Sequence, residues 1–166
     1  SIQRSFHQSR KIIETALGRE LNWQHDDITL QNIQARTRSP LIWMLANITN
    51  SLLVTTSNRS EGAVGYATMD GDTSGSLAPI AGIDKPFILQ WLKWAEKALD
   101  YPELHYVNGL TPSAELRPLE QHQSDEEDLM PYDILNRIEG LFSLERLSPL
   151  AIFERLQDEI SSDELS

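Results

Sequence analysis

Cysteine is absent from all 166 positions, which excludes disulfide frameworks and thiolate metal sites and fits a cytoplasmic protein. Long apolar runs are also missing, so the sequence predicts no membrane span. The opening residues, SIQRSFHQSRKI, show no apolar signal region. The glycosylation matches at Asn47 and Asn58 are therefore read as chance. Clustered lysine and arginine are scarce, which argues against a nucleic-acid surface. There is no G-x-x-x-x-G-K-[ST] loop, no Gly-Gly pair and no G-x-S-x-G elbow, so a P-loop and a hydrolase elbow are both out. His7, His25, His105 and His122 have no spacing to one another or to carboxylates that reads as a metal site.

What is present is a chain with 40% hydrophobic residues, enough for one domain with a core. Its net charge of −11 is unevenly placed. Residues 1–119 carry 12 acidic against 11 basic side chains, and residues 120–166 carry 13 against 3. The acidic stretch reads as a solvated helical tail of the same domain.

Periodicity predicts an amphipathic helix over 5–18, with Phe6, Ile13, Ala16 and Leu17 on one stripe and Gly18 as its stop. Residues 29–38 are a second helical candidate. Ser39-Pro40 then reads as a cap opening a buried helix over Leu41–Ala46, or as a kink within one longer helix. Ser51–Thr56 is a β-branched apolar run that reads as a short buried strand. Asn58 with Glu61 three residues on forms a capping-box pattern opening the next helix. Residues 69–84 read as a loop. Asp84 and Pro86 open a helix over 86–99 with Ile88, Trp91, Leu92, Ala95 and Leu99 on one face. A proline-marked loop, 101–118, precedes helices at 133–142 and 149–160. Strand–helix alternation with few strands implies an α/β class in which helices predominate, and one or two strands are too few to stand alone.

The strongest local pattern is Thr56 to Glu61. A hydroxyl at a strand's carboxyl end and a carboxylate in the following helical turn suit a nucleotide with Mg²⁺, which takes only one or two protein oxygens. A plain helix cap would use the same residues. Asp70-Gly-Asp72 resembles the opening of an EF-hand, but Ala81 stands where the bidentate glutamate is required, so that reading fails. Lys85 at a helix start suits a phosphate, as do the Ser113 hydroxyl and the Arg117 fork. Taken by itself, Lys85 reads more simply as an ordinary surface lysine.

Several segments occur in order: Asn32-Ile-Gln-Ala-Arg-Thr-Arg38, Leu52 to Thr68, Gly71-Asp72, Ala78-Pro-Ile80, Pro112-Ser-Ala-Glu-Leu-Arg-Pro118, Gln123-Ser-Asp125 and Pro131-Tyr-Asp133. Together they resemble the synthetase domain of NAD synthetases, especially the glutamine-dependent branch. The resemblance covers about residues 30–140. It implies a partial adenine-nucleotide α-hydrolase-like domain, Rossmann-like and of the N-type ATP pyrophosphatase class. It also implies amidation of deamido-NAD to NAD. ATP first adenylates the nicotinic acid carboxylate, and ammonia then expels AMP. By the same resemblance Thr56, Lys85 and Ser113 contact ATP, Glu61 binds Mg²⁺, and Asp72 lies in the substrate loop. Arg36 would contact deamido-NAD across a homodimer interface.

Met69 and Ser76 stand where ammonia-dependent relatives often carry lysine and aspartate, which points to the glutamine-dependent branch. The family's Ser-Gly-Gly-x-Asp-Ser loop and nitrilase-like glutaminase domain are absent from these residues. The expectation is therefore a C-terminal portion of a synthetase domain, with little or no activity by itself. Two other readings remain: a different ATP pyrophosphatase-type amidating ligase, and a non-catalytic acidic helical module that dimerises.

Overall fold

The structure is a computed structural model that describes residues 2–118 and 123–157. Helix α1 (Ile2–Leu17) ends as expected at Gly18, whose φ of +67° reverses the chain. The reversal is held by polar contacts. Arg10 donates to the Leu21 carbonyl at 2.6 Å, and Glu14 accepts from the Leu21 amide at 2.9 Å. Arg19 makes a two-pronged pair with Asp26, at 2.7 and 2.8 Å, just ahead of α2 (Asp27–Thr49). Leu21, Leu30 and Ile33 form a small core there, with Phe6, Ile13 and Trp23 packed on it.

The two helical segments predicted on either side of Ser39 are one helix, so Pro40 lies inside α2. A proline in a helix interior removes one backbone donor. On the same turn, Ser39 donates its hydroxyl outward to the Asp70 carbonyl at 2.7 Å. The loop lies close against this helix because both surfaces are small: a Cβ on Gly71 would stand 3.0 Å from the Ala35 Cβ. The expected burial of Leu41–Ala46 is not observed. Ala46 is buried, but Leu41, Ile42, Met44 and Leu45 are 43–61% exposed, because no other described element packs over this half of the helix.

The predicted strand over 51–56 is also corrected. Among the described residues it contributes a single parallel bridge, Val54 to Leu77. Its hydrogen bonds run from the Thr55 amide to the Leu77 carbonyl at 2.9 Å and from the Ser76 amide to the Leu53 carbonyl at 2.8 Å. An extended segment becomes a strand only when neighbours pair along its length, and this one has a two-bond neighbour. The described architecture is thus helical, without the α/β sheet that alternation implied.

Helices α3 (Arg59–Val64) and α4 (Lys85–Ala98) follow, then α5 (Leu104–Asn108), α6 (Asp125–Asp128), α7 (Tyr132–Ser143) and α8 (Pro149–Gln157). Arg59 ties three of these together: its guanidinium meets Asp84 at 3.2 Å, Asn136 at 3.1 Å and Glu139 at 2.5 Å. A second core of Leu141, Ile152 and Leu156 joins α7 to α8. The helix predicted over 149–160 runs to Gln157, and its last three residues lie outside the described residues. The acidic stretch is not simply a solvated face. Asp125 is 3% exposed, and Glu139 belongs to the Arg59 cluster. Burial of these carboxylates follows from the cations and donors that α3 and α4 bring to them.

Candidate functional site

Residues 53–57 reach the site because Thr55 is pinned from both sides. Its amide joins the bridge, and its hydroxyl donates to the Asp72 carbonyl at 2.5 Å. The next side chain, Thr56, is left exposed at the mouth of a cleft of about 600 Å³. Gly75 closes this turn: a Cβ there would stand 2.9 Å from the Thr55 amide nitrogen, so only glycine lets the two segments approach so closely.

The expected capping box opens α3. The Asn58 side chain accepts from the Glu61 amide at 3.0 Å, and Glu61 Oε2 accepts from the Asn58 amide at 3.4 Å. This fixes Glu61 at the cleft with its other oxygen, Oε1, turned to Lys85 Nζ at 3.1 Å. Lys85 is the first residue of α4, whose cap Asp84 accepts from the Phe87 amide at 2.8 Å. The Lys85 backbone amide donates to Ser60 Oγ at 3.0 Å, so α3 and α4 are locked together beneath the cleft. Ser113 enters from the segment that follows α5. The cleft therefore gathers Thr56, Glu61, Asp72, Lys85 and Ser113, all singled out from the sequence.

Arg36 lies in an adjoining cleft of about 580 Å³, together with Asn32, Thr68, Met69 and Asp72. Its Nε donates to the Met69 carbonyl at 2.9 Å. Tyr66, Asp72 and Ala114 line both clefts. Asp72 stands at their junction, with Oδ2 accepting from the Thr68 amide at 2.9 Å. Arg38 points elsewhere, donating to the Glu115 carbonyl at 3.3 Å, as two helical positions two apart require.

Arg117 is not free to meet a phosphate. Its fork is held by Asp27 at 3.0 Å and by Asp128 at 2.8 Å, and these two carboxylates raise its pKa further. Its role is to tie the Ser113 loop to α2 and α6. Asp128 also accepts from the Tyr66 hydroxyl at 2.8 Å and from Gln123 at 3.0 Å. Burial raises the Asp128 pKa, but the donors Gln123, Arg117 and Tyr66 outweigh it and leave the carboxyl below its usual value.

Sequence reasoning about single residues missed Asp125 and Tyr132. Both stood inside quoted motifs, but nothing in their spacing showed that they meet. The Tyr132 hydroxyl donates to Asp125 Oδ2 at 2.8 Å, and both residues are buried. Desolvation first, then the hydrogen bond to Asp125, pushes the Tyr132 phenol well above the ordinary range. A phenol raised in the folded state contributes stability that is present below its unfolded value of about 10 and is lost as pH climbs past it. Stability should accordingly fall by up to about 1.4 kcal/mol per pH unit above about pH 10 from this group. Urea titrations on both sides of that pH check it. Tyr132→Phe should flatten the alkaline slope, and an unchanged slope would refute the assignment.

Among the described residues no group of three or more His, Asp or Glu could hold a metal ion by itself. One of the cleft carboxylates, Glu61, is enough for Mg²⁺, which relies on waters and substrate phosphates for its remaining ligands.

The family model described as NAD synthase matches residues 3–160. The chain belongs to the NAD synthase family. A glutamine-dependent NAD(+) synthetase from Aquifex aeolicus is 38% identical over 130 residues, covering 78% of this chain and 22% of that protein. One from Thermotoga maritima is 40% identical over 127 residues, covering 74% of this chain and 21% of that protein. The crystal structure of a glutamine-dependent NAD(+) synthetase from Cytophaga hutchinsonii is 51% identical, with a TM-score of 0.83 over 97% of this chain and 24% of that one. An NMN synthetase from Francisella tularensis, 21% identical with a TM-score of 0.63 over 95% of this chain and 55% of that one, shares the fold. The chain thus spans a quarter or less of the length of the glutamine-dependent relatives it matches.

Proposed function

We propose that this chain carries the ATP half-site of a ligase that amidates deamido-NAD to NAD, with ammonia drawn from glutamine by a nitrilase-like domain of the intact enzyme. The observation that carries this is the convergence of Thr56, Glu61, Lys85 and Ser113 in one cleft, with Asp72 leading into a second that holds Arg36. Two clefts that share a wall suit a reaction in which a nucleotide and a carboxylate substrate must meet. The run 52–56 would then be a strand of an adenine-nucleotide α-hydrolase-like sheet, for which the Val54–Leu77 bridge is the local support.

In this reading the substrate carboxylate attacks the α-phosphorus of ATP and pyrophosphate leaves. Ammonia then attacks the acyl-adenylate carbon and AMP leaves. The Thr56 and Ser113 hydroxyls donate to ATP oxygens. Lys85 opposes the charge that builds on the departing pyrophosphate. Glu61 would hold Mg²⁺, which supplies charge neutralisation at the phosphates when bound. Arg36 and Asp72 orient deamido-NAD in the second cleft. The full-length protein should convert deamido-NAD, ATP and glutamine to NAD with one AMP and one pyrophosphate for each NAD. Failure to consume deamido-NAD while ATP is split would favour another amidating ligase instead.

The exposed apolar half of α2, Leu41 to Ile48, supports a homodimer in which this surface meets a second copy. Its expected signature is a two-protomer mass in light scattering that Leu45→Glu converts to one. A single-protomer mass for the unmodified protein overturns it.

A further inference from the structure

We propose that Asp125 is a positioning residue for the ATP site, holding Lys85 in the cleft when Glu61 gives up its contact with that lysine. This rests on the roles of Glu61 and Lys85 given above. It starts from a conflict at one carboxylate. Glu61 Oε2 is used by the Asn58 amide and Oε1 by Lys85 Nζ, at 3.4 and 3.1 Å. A divalent cation on Oε1 would stand beside the Lys85 ammonium and repel it, while the contact from the Asn58 amide to Oε2 holds the helix start. Lys85 must therefore be released, and a largely buried ammonium, 18% exposed, cannot be left without a counter-charge.

Asp125 supplies one. Its Oδ2 lies 3.8 Å from Lys85 Nζ, beyond a hydrogen bond but within reach of a small side-chain rotation. Its side chain is 4% exposed, and Oδ1 is a buried oxygen with no hydrogen-bond partner. Such a group is costly to keep unless something completes it. An ammonium moving from Glu61 meets Oδ2 first and brings its charge to the carboxylate that carries this oxygen. Tyr132 holds the acceptor still, since its hydroxyl donates to Oδ2 at 2.8 Å and its ring lies 5.8 Å beneath the Lys85 ammonium.

The backbone of the same residue reaches the other phosphate contact. The Asp125 amide donates to the Pro112 carbonyl at 3.1 Å, one residue before Ser113. Asp125 thus meets both Lys85 and the residue before Ser113, from the first position of the short helix α6 and at the wall of the same cleft. Its influence is on where the two ATP contacts stand.

Two measurements test this. The first needs no ligand: a crystal structure of Glu61→Gln should bring Lys85 Nζ within hydrogen-bonding distance of Asp125, and Glu61→Gln with Asp125→Asn should not. A Lys85 that swings into solvent in the single variant overturns the proposal. The second uses the full-length protein. Asp125→Asn should raise the KM for ATP about ten-fold while leaving that for deamido-NAD unmoved. Tyr132→Phe should act in the same direction more weakly, and Asp125→Glu should recover part of the loss. An unchanged KM for ATP, or an equal rise for both substrates, overturns it. If Asp125→Asn does not fold, Tyr132→Phe and the Glu61→Gln structure decide. A wild-type protein that forms no NAD overturns the functional reading, and the structural measurement then still decides this one.

Discussion

Glu61→Gln in the full-length protein should lower NAD formation by about 10²–10³-fold while leaving the fold in place. The two halves of that expectation come from the two oxygens of one side chain. Glutamine retains a carbonyl oxygen that can accept from the Asn58 amide, so the box that opens α3 survives. The charge lost is the one facing Lys85. A neutral amide is a poor partner for a divalent ion, so the damage falls on phosphate neutralisation rather than on folding. Steady-state rates at saturating ATP and deamido-NAD, with thermal unfolding alongside, separate the two. A rate within about three-fold of wild type would remove Glu61 from the proposed metal site, since losing a group that acts in the transition state costs far more. Loss of rate together with a collapsed melting temperature would instead make it a structural cap.

Leu30→Ala should cost about 2–5 kcal/mol of stability, the range for emptying a buried leucine site. Leu30 is fully buried at the centre of the α1–α2 core. That core is small, so few neighbours can collapse into the space left behind. The α1–α2 pairing also holds the helix that carries Arg36, Gln34 and Arg38. The last two donate to the Glu115 carbonyl and so steady the loop behind Ser113. Denaturant unfolding should show the loss, and hydrogen exchange should show it first in residues 2–49. The α7–α8 core of Leu141, Ile152 and Leu156 is a separate cluster. Exchange there should change less, and an equal change throughout would mean that the two cores melt as one unit.

Features written in a few neighbouring residues were legible without coordinates. The Asn58–Glu61 box, the Asp84 cap with Pro86 behind it and the Gly18 stop all depend on contacts within one turn. The run at 51–56 was legible only as extended backbone. Its pairing depends on residues 75–77 and on whatever else neighbours it, and so it appears here as a single bridge. The apolar stretch Leu41–Ala46 reads as a buried helix, but composition could not say whether the chain itself provides the cover, and most of it is exposed. Arg117 misled for the opposite reason. A fork in a proline-bound loop suits phosphate, yet its partners, Asp27 and Asp128, lie 90 and 11 positions away and cannot be read from spacing.

By itself, then, the sequence determined the local devices: which residues begin and end helices, which side chains have the chemistry to meet a nucleotide, and, through ordered motifs, the NAD synthase family. Only the tertiary structure decided that Thr56, Glu61, Lys85 and Ser113 share a cleft with Arg36 next door, that Arg117 is already spent, and that Asp125 and Tyr132 stand behind Lys85. The physical reason is range. A cap or a turn is settled by hydrogen bonds a few residues long, whereas a site is settled by which distant backbones can come close. Here that was governed by small residues such as Gly71 and Gly75, and by buried charges that had to find partners.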